Sequence, residues 1–256
     1  MAKIVAIANQ KGGVGKTTTS VNLSGALALS QKTVLLVDLD PQANATSGVG
    51  VERPCTTVYD CLMNRVSPSE VILSTGFSHL SILPSGADLV GAEVELANIQ
   101  GREMALKDSL ESIVENYEVI ILDCPPALGL LTINAFVAAH SVLVPVQCEY
   151  YAMEGLGRLM TSVERVRDTL NPGLELEGIL LTMWDSRLTL ARQVSEEVRK
   201  YFKDSVYQAM IPRNISLAEA PSYGQIGLVY NATSAGAQAY IELAKEFLNN
   251  GEKSPR

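Results

Sequence analysis

Apolar residues in this chain fall into short, nearly unbroken runs separated by longer stretches of helical spacing. Lys3-Ile4-Val5-Ala6-Ile7-Ala8 opens the series and predicts a strand ending at Ala8. Thr33–Val37, Leu80–Pro84, Glu118–Asp123, Ser141–Val146 and Gly178–Met183 repeat the pattern, and Met210–Asn214 reads as a strand end. Runs such as Val34–Val37 are apolar on both faces, as a parallel sheet covered on both sides demands. Between them the spacing predicts helices over Lys16–Ser30, Thr57–Leu62, Arg102–Asn116 and Ala152–Leu170. Further helices are predicted up to Phe202 and over Gly236–Leu248, while Ala92–Gln100 reads as helical or as a surface connection. Strand and helix alternate along the chain, which predicts an α/β fold with a mainly parallel sheet. A single domain is expected over residues 1–248. A polar, flexible tail with no regular structure is expected over 249–256, where Pro255 stands.

The junction of the first strand and first helix carries the chemistry. Asn9-Gln10-Lys11-Gly12-Gly13-Val14-Gly15-Lys16-Thr17-Thr18 places glycines between strand and helix, the setting of a phosphate-binding loop. Glycines let backbone N–H groups turn toward phosphate oxygens, and the helix N-terminus adds partial positive charge. Residues Gly12 to Thr18 are therefore the candidate nucleotide cradle. Within it Lys16 would reach the β- and γ-phosphates of ATP, and the Thr17 hydroxyl would ligate Mg²⁺. The usual G-x-x-x-x-G-K-[ST] pattern is incomplete, because position 10 is Gln10 and an extra lysine, Lys11, precedes Gly12-Gly13. Asp38 and Asp40 follow the second strand. Two residues apart at a carboxyl strand end, where ligands of open α/β sheets sit, they can face a Mg–phosphate group. A turn or helix cap is the plainer alternative. Asp123 ends another apolar strand and would hold Mg²⁺ directly or through water.

Lys11-Gly12-Gly13-Val14-Gly15-Lys16-Thr17 resembles the deviant Walker A motif of the ParA/MinD group of P-loop ATPases. Asp38-Leu39-Asp40-Pro41-Gln42, Asp123 with Cys124–Gly129, and Gln147–Gly155 match further motifs, the last in the ParA/Soj branch. The resemblance covers about residues 1–248. It implies a doubly wound, mainly parallel β-sheet flanked by helices, the P-loop NTPase fold. It implies that Lys11 reaches across an ATP-sandwich homodimer to the partner's ATP, and that Gly12 lets the two sites meet face to face. Asp40 would orient the attacking water, Asp38 would lie near the metal, and Cys124–Gly129 would sense the γ-phosphate. Glu149 is carried over as a cross-interface contact, with helix capping an equal alternative. Met183, Pro212 and Asn214 stand at the family's adenine pocket. Arg187 matches a position linked to sequence-independent DNA binding, and Lys245 matches a family lysine. Arg192, with Arg199, Lys200 and Lys203, would extend that surface. The implied function is chromosome or plasmid partitioning: ATP makes the dimer, the dimer binds DNA non-specifically, and a ParB-like protein stimulates hydrolysis.

Composition tempers the DNA reading. Lys and Arg number 20 against 28 Asp and Glu, a net charge of −8, which argues against wholesale coating of nucleic acid. Ser216, Gln225 and Asn231–Gly236 stand where family members often carry basic residues. The alternative is an ATP-dependent switch or ligase-type enzyme acting on a protein partner or small substrate without DNA. Cys55, Cys61, Cys124 and Cys148 form no C-x-x-C pair, and His79 and His140 lack partners at metal-ligand spacing. An iron–sulfur reductase would need a second cluster ligand in a context like that of Cys124. No apolar run approaches the ~18 residues of a membrane span. The C-terminal tail lacks the apolar face of a membrane anchor, so a cytoplasmic protein with no membrane partner is expected.

Overall fold

The computed structural model describes residues 2–253, with side chains to residue 250. Its strands are β1 (Lys3–Ile7), β2 (Val34–Asp38), β3 (Leu73–Ser74), β4 (Leu80–Leu83), β5 (Val119–Asp123), β6 (Ser141–Gln147), β7 (Glu175–Trp184) and β8 (Val206–Pro212). The first six helices are α1 (Lys16–Leu29), α2 (Asn44–Gly48), α3 (Val58–Leu62), α4 (Pro68–Val71), α5 (Leu89–Leu96) and α6 (Ala105–Leu110). The remainder are α7 (Leu130–Ala138), α8 (Ala152–Thr169), α9 (Thr189–Phe202), α10 (Ile215–Glu219), α11 (Gly227–Tyr230) and α12 (Ala235–Lys253). All eight strands join one sheet in the order β3-β4-β2-β5-β1-β6-β7-β8. Only the two-residue edge strand β3 pairs antiparallel.

Side-chain alternation along the strands builds two cores. Ile4, Ala6, Leu35, Val37, Ile120, Leu122, Val142 and Val144 face a layer that includes Leu106, Phe136, Leu159 and Val194. Val5, Ile7, Val34, Leu36, Val119, Ile121 and Leu143 face the other layer, with Leu23, Leu27, Tyr240 and Phe247. Burial on both faces is why the strands read as continuous apolar runs. Helix α1 is buried nearly all round, including Thr19, Ser20, Asn22 and Ser24. Several of its polar groups are bonded inward: Thr19 Oγ1 lies 3.1 Å from Tyr240 Oη, and Asn22 Oδ1 accepts from Gly227 N at 2.8 Å.

The structure departs from the sequence reading at several elements: β3 was not expected, β7 and β8 begin earlier than the Gly178 and Met210 read for them, and two helices differ more. The predicted helix over Arg102–Asn116 is cut down to α6 and a separate 3₁₀ turn at Val114–Asn116. Buried Asn134 of α7 causes the late start, accepting from Leu106 N at 3.0 Å and donating to Arg102 O at 2.9 Å. At the other end α12 runs to Lys253, beyond the expected stop at Leu248. Asn249–Lys253 hold no proline, and their single glycine, Gly251, costs only about 1 kcal/mol in a helix. Residues 254–256 of the expected tail lie outside the described residues.

The sheet edge at β8 is blunted from both layers. Arg199 of α9 donates to Tyr207 O at 3.0 Å, while Glu246 of α12 accepts from Gln208 N at 2.8 Å. Side chains thereby occupy backbone groups that would otherwise offer an edge for pairing.

Candidate active site

The parallel strands β1, β2, β5, β6, β7 and β8 deliver their carboxyl ends to one rim. There the chain leaves β1 for a loop whose Gly13 and Gly15 have φ of 74° and 88°. Those left-handed conformations need glycine. Gly15 is the N-cap of α1; no side chain caps that helix, and its first turn carries Lys16 and no acidic residue. The first N–H groups of a 14-residue helix are thus left to an anion, in the geometry that favours phosphate. The loop is pinned from outside: Asn9 Nδ2 donates to Pro145 O at 2.7 Å, and Thr182 Oγ1 donates to Val14 O at 2.9 Å.

The two lysines of the loop point differently. Lys16 is 7% exposed, and its Nζ donates to Lys11 O at 3.2 Å. Burial lowers its pKa, against the raising influence of Asp123, Cys124 and Asp40. Lys11 turns outward, and its Nζ pairs with Glu149, which also accepts from Gln147 Nε2. Glu149 is therefore the intrachain partner of Lys11 here, not a helix cap of α8, whose N-cap is Tyr151.

Asp38 and Asp123 are register neighbours on β2 and β5 and are wholly buried. Asp38 has both oxygens engaged: Oδ1 accepts from Asp40 N, and Oδ2 accepts from Thr46 N and Oγ1. Asp123 differs. Its Oδ1 accepts from Ser20 Oγ at 2.7 Å, and its Oδ2 has no hydrogen-bond partner. A buried carboxylate oxygen without a partner is costly unless a cation or water completes it. The donor set beside Thr17 suits a hard divalent ion such as Mg²⁺. Asp123 thus has an oxygen free for a cation, whereas both oxygens of Asp38 accept bonds from protein donors. Asp40 lies beyond the end of β2 in the following turn, 8% exposed, with Oδ1 accepting from Gln42 N at 2.9 Å.

Burial, then the neighbouring Asp38, pushes the Asp123 carboxyl up to about 8, against the hydroxyls of Ser20 and Thr17; burial also raises Asp38. The folded, metal-free chain therefore holds protons that the unfolded chain releases above ~4. Because the unfolded state binds fewer protons in that window, stability should fall as pH rises through it. Thermal melts in chelator across about pH 5 to 8 should show this decline, flattened in Asp123→Asn. A decline equally steep in that variant would refute the assignment.

The three predicted base-binding residues come together. Met183, Pro212 and Asn214 line one cavity of about 160 Å³ with Gly15, Thr18 and Ile211. Met183 has φ of 50°, strained for a side-chain-bearing residue, where the β7–β8 register shifts. Asn214 caps α10, its Oδ1 accepting from Leu217 N. A larger cavity of about 350 Å³, lined by Val49, Phe77, Tyr223 and Val229 among others, contains none of the predicted site residues.

The DNA candidates are not gathered on one helix layer. Arg187 precedes α9 and Arg192 is in it, and α9 packs through Ala191, Val194 and Val198 on one face of the sheet. Lys245 lies on α12, which packs on the opposite face through Tyr240, Leu243 and Phe247. The two helices flank β8. Arg187 is paired with Asp185, and Lys245 with Glu242. Sequence reading missed Ser20, Thr46, Ser85 and Thr182. Only Ser20 had a local signal, standing one helical turn after Lys16.

A doubly wound sheet with a glycine loop on its central strand, a lysine in that loop and a buried acid beside it defines a P-loop ATPase. A family model described as an AAA domain matches residues 2–176. The chain is 53% identical over 253 residues to the sporulation initiation inhibitor protein Soj of Bacillus subtilis (strain 168), covering 98% of this chain and 100% of that one. It is 48% identical over 259 residues to the chromosome partitioning protein ParA of Myxococcus xanthus (strain DK1622), covering 100% and 92%. The solved structure of cobyrinic acid a,c-diamide synthase from Mycobacterium smegmatis with bound ADP and magnesium matches at TM-score 0.87 and 38% identity, covering 99% and 96%. The chain belongs to the Soj/ParA family of ATPases.

Proposed function

We propose that this chain is a partitioning ATPase whose ATP-bound form is a sandwich homodimer that binds DNA non-specifically and is reset by hydrolysis. Its cofactors are ATP and Mg²⁺. Residues 1–248 act as one ATPase unit. The phosphate loop from Gly12 to Thr18 holds the phosphates, with Lys16 against their negative charge. Thr17 and Asp123 would hold Mg²⁺, which would supply positive charge beside the phosphates. Asp40 orients the attacking water, and Met183, Pro212 and Asn214 receive the base.

The observation that carries the reading is the division between the lysines. Lys16 serves the loop's interior. Lys11 stands outside it, its side chain 43% exposed. Gly12 adds to this, since a Cβ there would meet nothing within 4 Å and its φ is not left-handed. The open space around Gly12 leaves room for a second copy to approach closely, which supports the sandwich reading. In that complex Lys11 leaves Glu149 for the partner's nucleotide. Arg187, Arg192 and Lys245, on either side of β8, supply phosphate contacts, each contributing roughly 0.9 to the log–log salt slope. A ParB-like protein is the stimulating partner. The synthetase neighbour supports a small-substrate reading of the same fold, but its 38% identity is well below the 53% to Soj.

Light scattering with Mg–ATP and with Mg–ADP, beside retention of a random DNA fragment, tests this. The wild type should dimerise and retain DNA with ATP alone, less so as salt rises. Gly12→Val should keep the wild-type melting temperature and remain monomeric. Dimerisation of Gly12→Val at wild-type level would refute the interface. An ATP dimer that retains no DNA would refute the DNA role and favour a protein partner or small substrate.

A further inference from the structure

The turn that presents Asp40 is closed by a ring of buried hydrogen bonds to a distant part of the chain. Asp38 Oδ1 accepts from Asp40 N at 3.1 Å. Asp38 Oδ2 accepts from Thr46 Oγ1 at 2.7 Å and from Thr46 N at 2.8 Å. The same Thr46 hydroxyl accepts from Ser85 N at 2.9 Å. Ser85 Oγ then donates to Asp40 O at 2.7 Å, which closes the ring. Asp38 and Ser85 have no exposed surface, and Thr46 has 2%.

The ring grips both backbone polar groups of Asp40 and leaves its carboxylate out of the grip. Thr46 comes from α2, and Ser85 from the turn after β4, the strand beside β2. Three separate segments therefore converge to fix one main-chain unit. A simple turn would need only the local bonds already present, Ala43 N to Asp40 O and Gln42 N to Asp40 Oδ1. The extra bonds cross 8 and 45 residues of sequence.

We infer that Thr46 and Ser85 are positioning residues for ATP hydrolysis, Thr46 through Asp38 and Ser85 directly, fixing the main chain that aims the Asp40 carboxylate. The inference rests on the reading of Asp40 as the group that orients water. A general-base or water-orienting group must be held to well within an ångström, and misplacement by ~1 Å can cost about 100-fold in rate. None of these five bonds touches the phosphate loop or the base cavity. Loss of the ring should therefore lower kcat and leave KM for Mg–ATP unchanged.

The test compares near-isosteric pairs in steady-state and single-turnover ATPase assays. Thr46→Val keeps the shape and removes the hydroxyl; Thr46→Ser keeps the hydroxyl. Ser85→Ala removes only the bond to Asp40 O. Thr46→Val and Ser85→Ala should lower kcat about 10- to 100-fold with KM unchanged, and Thr46→Ser should stay near wild type. Ser85→Ala should cost no further rate in an Asp40→Ala background, because its effect runs through Asp40. The inference is overturned if Asp40→Ala is slow while Ser85→Ala and Thr46→Val turn over normally. It is equally overturned if Thr46→Ser is as slow as Thr46→Val, or if Ser85→Ala slows both backgrounds alike, since each marks a general loss of structure. If Asp40→Ala itself keeps the wild-type rate, the reading of Asp40 falls, and the positioning role falls with it.

Discussion

Lys16→Ala is expected to abolish ATP turnover, with a fall of at least about 100-fold, and to remove the thermal stabilisation that Mg–ATP gives the wild type. The reason is placement. Lys16 begins α1 inside the loop, nearly buried, with its amine already held against Lys11 O. Few other cations can take over, because Lys11 is turned out to Glu149. Folding should survive. Truncation relieves the desolvation of a buried amine while losing its attraction to Asp123 and Asp40, and these act in opposite directions. The melting temperature without nucleotide should thus move little while the nucleotide-induced shift disappears. Melts with and without Mg–ATP, beside phosphate release, check this. Turnover within a few-fold of wild type would remove Lys16 from the mechanism.

Asp40→Ala should separate binding from hydrolysis. Turnover is expected to fall by about 10²-fold or more, while Mg–ATP still stabilises the protein. The carboxylate makes one protein bond, from Gln42 N, so its loss costs about 1 kcal/mol. The backbone bonds of Asp40 to Asp38 and Ser85 remain. Under the proposed cycle the variant should accumulate as the ATP dimer and retain DNA for longer than wild type. Fast hydrolysis in this variant would transfer the water-orienting role to another group. Loss of Mg–ATP stabilisation would place Asp40 in binding.

Much of the site was legible locally. The phosphate loop depends on neighbours in sequence: Gly13 and Gly15 supply the left-handed turns, and Lys16 and Thr17 open the helix that follows. Asp123 was legible because an apolar strand brings its last residue to the ligand rim. Met183, Pro212 and Asn214 were singled out through resemblance; they lie on different segments, and only the sheet order brings them to one cavity.

Most strands, helices α1 and α8 and the phosphate loop follow from periodicity or from glycine over a few adjacent residues. Tertiary structure decided what depended on partners far along the chain. Asn134 shortened the helix after Arg102 by taking its backbone groups. Thr46 and Ser85 meet only because β4 lies beside β2, and Asp38 is bonded to Thr46 there. Arg187 and Lys245 were parted by the sheet itself, since α9 and α12 cover opposite faces. Periodicity states that a helix has a buried face; it does not state which side of the sheet that face will meet.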